Sequence, residues 1–168
     1  MIAVDASVLL DVLTDDPRHG DASARALAQA AEAASEGQAR LIDAASADPA
    51  ALLAADGYLF VCPENLGTMS GAMKEMFDRN YYPLLGRIEG RPYASIVTAG
   101  SDGHGAQAQL DRIVTGWRLK RVAPPLIVNL AAQTPEAILA PKQVPTELLE
   151  QAGQLGATLA QGIAMGVF

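Results

Sequence analysis

The chain has 168 residues, half of them hydrophobic and 18% charged, with one cysteine and a formal net charge of -7. That length suits one domain whose folding buries about two thirds of its unfolded surface, the acidic balance argues against nucleic acid or an anionic membrane as main partner, and no apolar run reaches the roughly 18 residues that span a bilayer. Cys62 has no partner for an internal disulfide, and with no basic-then-apolar leader ahead of a small-residue cleavage site the expected location is the cytoplasm.

Residues 1–13, MIAVDASVLLDVL, admit two registers. In the first, 8–13 is the opening strand, 14–20 the loop behind it and 21–36 the first helix; Asp11 then lies in a buried strand, which is costly unless its carboxylate is paired. In the second, 2–4 is the strand, Asp5 or Ser7 caps a short helix, and Val8, Leu9, Val12 and Leu13 form its apolar face. Over residues 1–27 this second register resembles the start of PIN-domain ribonucleases, in which Asp5 would be one ligand of a Mg²⁺ or Mn²⁺ cluster. Such a cluster needs several carboxylates. The remaining acidic positions of that family are not recognisable downstream, and no metal site is expected.

Residues 22–34 are rich in Ala with Gln, Arg and Glu, a composition that predicts a helix stopped by Gly37. Residues 39–44 fit the second strand. Asp48 followed by Pro49 opens a short helix to residue 55, and Asp56 with Gly57 turns into the third strand. Strand, helix, strand, helix, strand predicts a parallel sheet with helices on both faces.

The stretch 57–79, GYLFVCPENLGTMSGAMKEMFDR, carries the most information. Residues 58–62 are apolar without alternation, as expected of a central parallel strand. Pro63 is expected to end it, and Asn65, Gly67, Thr68 and Ser70 to form a polar loop. From Ala72, Met73, Met76 and Phe77 mark the apolar face of a helix. In such a sheet ligands sit in the crevice at the carboxyl ends of the strands, where this loop lies.

Pro63, Glu64, Gly67, Thr68, Met69, Ser70 and Gly71, with Phe77, Asp78 and Arg79 closing the helix, make this stretch similar to the flavin-contacting loop of flavodoxin-like NAD(P)H-dependent FMN and quinone reductases. The resemblance extends over residues 39–168. It implies a flavodoxin-like three-layer α/β/α sandwich with a five-stranded parallel sheet in the order 2-1-3-4-5. It further implies FMN as cofactor, NAD(P)H as electron donor, a quinone or similar small molecule as acceptor, and a homo-oligomer. The flavin would meet Pro63, Glu64, Asn65, Leu66, Gly67, Thr68 and Met69.

Residues 80–86 follow the helix as a packing or interface segment, and 87–92 turn into the fourth strand, 93–98. That strand runs into Ala99, Gly100, Ser101, Asp102, Gly103, His104 and Gly105. Three glycines in six residues let a backbone approach a planar ligand and donate amides to it. The loop resembles the glycine-rich segment bordering the isoalloxazine in the same reductases, so Ala99, Gly100, Ser101, Asp102, Gly103 and His104 join the candidate cofactor site. His104 is either a ring or substrate neighbour or an exposed loop residue, and hydride transfer between cofactors assigns it no catalytic role. The next helix starts near Ala106 and continues over 110–119, with Trp117 as a core or interface anchor. Residues 126–130 form the fifth strand behind Pro124 and Pro125. Residues 133–144 read as irregular, and Pro145 with Thr146 opens a last helix to about 163, with an apolar tail at 165–168.

The family holds the FMN phosphate with a Ser/Thr- and Gly-rich loop after the first strand. This chain has Thr14, Asp15, Asp16, Pro17, Arg18, His19 and Gly20 there. The paired aspartates oppose a phosphate and Pro17 removes an amide donor; Arg18, His19, Gly20, Thr14 and Ser23 partly compensate through charge and hydroxyl donors, with Thr14 and Arg18 as the candidate contacts. Three functions stay open: the FMN-dependent reductase, a flavodoxin-type electron carrier, and a flavin-free interaction module.

Overall fold

The computed structural model describes residues 2–5 and 22–168. Its strands are β1 (Ile2–Asp5), β2 (Arg40–Asp43), β3 (Tyr58–Asn65), β4 (Thr68–Met69), β5 (Pro92–Ala99), β6 (Lys120–Arg121) and β7 (Leu126–Asn129). Its helices are α1 (Ala22–Ala34), α2 (Pro49–Ala54), α3 (Gly71–Leu84), α4 (His104–Gly116), α5 (Pro135–Leu139) and α6 (Thr146–Ala164).

β1 lies between β2 and β3 and is parallel to both, with Ile2 opposite Arg40 and Tyr58. Residues 2–5 therefore form a strand, close to the 2–4 of the second register. Residues 6–21 of both N-terminal registers, including Thr14 and Arg18, lie outside the described residues, as does most of the PIN-like stretch. β3 pairs in parallel with β5, and β5 in turn with β6 through Pro92 and Tyr93 and with β7 through residues 96–99. The sheet is mixed, not purely parallel as expected. β4 adds an antiparallel ladder to the end of β3, and the place beside β5 is divided between β6 and β7. Pro124 and Pro125 fall in that division, where their missing amides interrupt a ladder.

Alternation along β3 partitions the core. Tyr58, Phe60 and Cys62 pack with Leu52, Met73, Met76, Phe77, Leu110 and Trp117 from α2, α3 and the α4 end. Leu59 and Val61 face the other way, onto Leu27, Ala28 and Ala31 of α1 and Ala152 and Leu159 of α6. Burial on both faces is why 58–62 shows no polar alternation. The Phe77 ring sits 5.0 Å from Phe60 and 5.0 Å, edge-on, from Trp117, which makes Trp117 a core anchor. On the opposite face α1 and α6 approach closely. A Cβ at Gly156 would lie 2.8 Å from both Cα and Cβ of Ala31.

Two arginines fasten the connections. Arg91 donates to Leu52 O at 3.1 Å and Leu53 O at 3.0 Å, satisfying carbonyls at the C-terminal end of α2, while the Tyr58 hydroxyl donates to Leu52 O at 2.8 Å. The N-terminal end of α2 is capped by Asp48, whose Oδ1 accepts from Ala51 N at 2.7 Å. Arg79, from the Asp-Arg that closes the family-like motif, donates to Ala44 O at 2.7 Å and Ala45 O at 3.2 Å, and Asn80 Nδ2 donates to Ala47 O at 2.9 Å. These bonds hold the turn between β2 and α2. They also account for α3 continuing past Asn80 to Leu84, with Pro83 in its last turn, where the sequence predicted a break.

Candidate functional site

β3 does not stop at Pro63. Pro63 remains opposite Thr98 in the ladder, and its carbonyl accepts from Ser70 N at 3.2 Å, so the proline loses only the donor it never had. Glu64 and Asn65 then pair antiparallel with Met69 and Thr68. The expected polar loop is thus a β-hairpin with a two-residue turn, Leu66 at φ 53° and Gly67 at φ 76°. Positive φ at both turn positions matches the twist of the flanking strands. Asn65, Leu66, Gly67 and Thr68 are exposed, whereas Pro63 and Met69 are buried. Ser70 caps α3 directly behind the hairpin, its Oγ accepting from Met73 N at 3.3 Å.

The second candidate loop, at the end of β5, lies against this hairpin. Oε1 of Glu64 accepts from Gly103 N at 2.9 Å, and Oε2 accepts from Ala106 N at 2.9 Å. Met69 N donates to Gln109 Oε1 at 2.9 Å. A Cβ at Gly105 would collide with the Gly67 carbonyl oxygen, one at Gly103 with the Ile127 side chain, and one at Gly100 would lie 2.8 Å from Ala132 O. The Cβ direction of each of these glycines is therefore closed by protein. What faces outward is the rim: Ser101, Asp102 and His104 are exposed, while Ala99 and Gly103 are buried and Gly100 is half-buried. His104 Nε2 stands 4.0 Å from Asp102 Oδ1, an exposed pair.

Several residues that the sequence did not single out support the rim. Asn129, at the end of β7, donates from Nδ2 to Ser101 O and accepts from Ala131 N at 2.9 Å. Beneath the loop, Ser95 Oγ donates to Gln107 Oε1 at 2.9 Å, and Gln107 Nε2 donates to Asp111 Oδ1 at 2.8 Å. An Asn closing a strand and a Gln on a buried helix face are the signals that were there to be read.

At the start of α1, the Ser23 side chain is 2% exposed, and its Oγ has no hydrogen-bond partner among the described residues. A buried hydroxyl without a partner in the first turn of a 13-residue helix suits an anionic oxygen, because that end of a helix favours negative charge. Among the described residues, no three His, Cys, Asp or Glu side chains are grouped to hold a metal ion, and no helix is long and apolar enough to cross a membrane.

Solved structures share this architecture. The fold is similar to a flavodoxin from the domain Archaea, at 15% identity over 97% of each chain with a TM-score of 0.73. It is also similar to the WrbA-like flavodoxin of Agrobacterium tumefaciens, at 20% identity over 98% of this chain and 96% of that one, TM-score 0.67. A third is FerB, a flavoenzyme NAD(P)H:(acceptor) oxidoreductase of Paracoccus denitrificans, at 15% identity over 98% and 97%, TM-score 0.65. No curated protein sequence matches. Residues 49–134, which contain both candidate loops, match the family described as NADPH-dependent FMN reductase, and the chain belongs to that family as an FMN-dependent oxidoreductase of flavodoxin-like α/β fold.

Proposed function

We propose that this chain, acting as one flavodoxin-like domain, carries electrons from NAD(P)H through FMN to a quinone or similar small acceptor. The observation that carries the proposal is the meeting of the hairpin at residues 63–70 with the loop at 99–105 beyond the carboxyl ends of β3 and β5, where an open α/β sheet receives its ligand. Leu66 and Thr68 on one side, and Ser101, Asp102 and His104 on the other, present the exposed side chains that would border the ring. The amides of His104 and Gly105 donate to no described residue and remain for carbonyl or ring-nitrogen acceptors. Ser23 Oγ supplies a donor for the phosphate. Thr14 and Arg18 join it as proposed contacts.

When bound, FMN supplies the hydride and electron chemistry. The chain's own residues bind and orient it, and His104 stands where it could exchange a proton with an acceptor. A cytoplasmic location and a homo-oligomeric state belong to the same proposal and rest on the family resemblance.

Titration of the purified protein with FMN, followed by quenching of flavin fluorescence, tests the proposal. Saturable binding at micromolar concentration or tighter is expected, about -8 kcal/mol or more favourable. No binding at tens of micromolar refutes it. Binding without protein-stimulated NAD(P)H oxidation in the presence of a quinone leaves a flavodoxin-type carrier and removes the reductase.

A further inference from the structure

We infer that Glu64 is a positioning residue that locks the two candidate flavin loops at a fixed separation by capping α4 from another element. The placement of flavin between those loops rests on the function proposed above; the clamp itself does not. α4 begins after Gly103, which sits at φ 91° and has no side chain with which to cap the helix. In a self-contained capping box, one side chain bonds the third amide of the helix and another reaches back to the amide of the capping residue. Here both bonds come from the single Glu64 carboxylate, half-buried on β3: Oε1 takes the Gly103 amide and Oε2 the Ala106 amide, each at 2.9 Å. A carboxylate at this end of a helix also meets the positive end of the helix dipole.

Two other contacts act in the same direction. Met69 N is held by Gln109 at 2.9 Å, and Gly105 has no room for a Cβ beside the Gly67 carbonyl. Hairpin and helix start thus form one unit. Glu64 is its charged fastening and the sole group contributing two bonds across the gap among the described residues. Two consequences follow. Fixing the loops in advance removes ordering that a ligand would otherwise have to impose, which favours affinity. The carboxylate also places a negative charge on the hairpin that borders the proposed ring site, where it opposes the charge gained on reduction.

The test uses Glu64→Gln, which keeps the shape but leaves one of the two amides facing an NH2 group, with Glu64→Ala as a second variant. In the flavin-free protein, hydrogen exchange at the Gly103 and Ala106 amides is expected to accelerate at least tenfold while α1 and α6 keep their protection. FMN is expected to bind the folded variants about tenfold more weakly. The ratio of reduced to oxidised affinity is expected to rise, about 30 mV in midpoint potential for each tenfold. A purely structural role would lower the melting temperature without moving the potential. Exchange at both amides within twofold of the native protein overturns the clamp. Unchanged FMN affinity and potential in a folded Glu64→Gln variant overturn its role in positioning the flavin site. If the native protein itself binds no FMN, the proposed function fails, and the exchange rates alone decide for or against the clamp.

Discussion

Leu66 occupies a conformation that suits it poorly. It is the first turn residue of the β3–β4 hairpin, at φ 53°, and its side chain is fully exposed. A Cβ-bearing residue in the left-handed region gives up about 1–2 kcal/mol, most of which Asn recovers by local hydrogen bonding. Leu66→Asn also creates the Asn-Gly pair that two-residue hairpins favour, because Gly67 already follows at φ 76°. Nothing is lost from the core, since the side chain buries no area. The net expectation is about 1 kcal/mol of added stability, or a rise of roughly 2–4 °C in melting temperature for a domain of this size. Urea denaturation should show a higher midpoint with an unchanged slope. A melting temperature that stays or falls refutes the strain account. The same variant is expected to bind FMN about tenfold more weakly, because a Leu covered by ligand is worth about 1.5 kcal/mol or more. Strain kept at a site with no contact to justify it would be unusual, so equal affinity would mean that the hairpin tip does not touch the flavin.

Two further outcomes test the scaffold. Gly156→Ala places a methyl 2.8 Å from Ala31 Cα and Cβ, where backbone must move, so about 1–3 kcal/mol of overpacking should outweigh the roughly 1 kcal/mol gained in helix propensity; a more stable variant in thermal unfolding would contradict the α1–α6 contact. Burial raises the Tyr58 hydroxyl above its ordinary value near 10, partly offset by the Arg91 guanidinium. The unfolded chain then loses this proton first, so the Tyr58 contribution is intact below pH 10 and declines as pH rises from there toward the folded value. Tyr58→Phe, which gives up about 1 kcal/mol with the bond to Leu52 O, should flatten the loss of stability above pH 10; identical alkaline profiles would refute the assignment.

Much of the scaffold was legible because its signals are local. Ala22 to Ala34 matched its helix, Asp48 with Pro49 marked the start of α2, and the two-sided burial of β3 was written in an apolar run without alternation. What escaped depends on partners distant in sequence. Pro63 reads as a strand breaker, yet the Ser70 amide completes its backbone bonding. Asn80 reads as a helix end, yet its Nδ2 donates to the carbonyls of Met76 and Ala47 and the helix continues. Lys120 and Arg121 are too short a strand to show a period. In the candidate site, both loops were identified and the structure brings them together. The contacts within them were not legible: Glu64, singled out as a flavin contact, also bonds the Gly103 and Ala106 amides, and Gly100, Gly103 and Gly105 leave no room for a Cβ beside Ala132, Ile127 and Gly67.

The pairing order also constrains how this chain can reach its native state. β1 lies inside the sheet, so its two edges are satisfied only after β2 and β3 have emerged, and the alanine face of α1 is covered by α6, from the opposite end of the chain. Contacts between such distant segments form late and slow the search. A nascent chain lacking its last helix would uncover the part of α1 around Ala30, Ala31 and Ala34 that packs on Gly153 and Gly156, an apolar surface open to association with other chains until synthesis is complete.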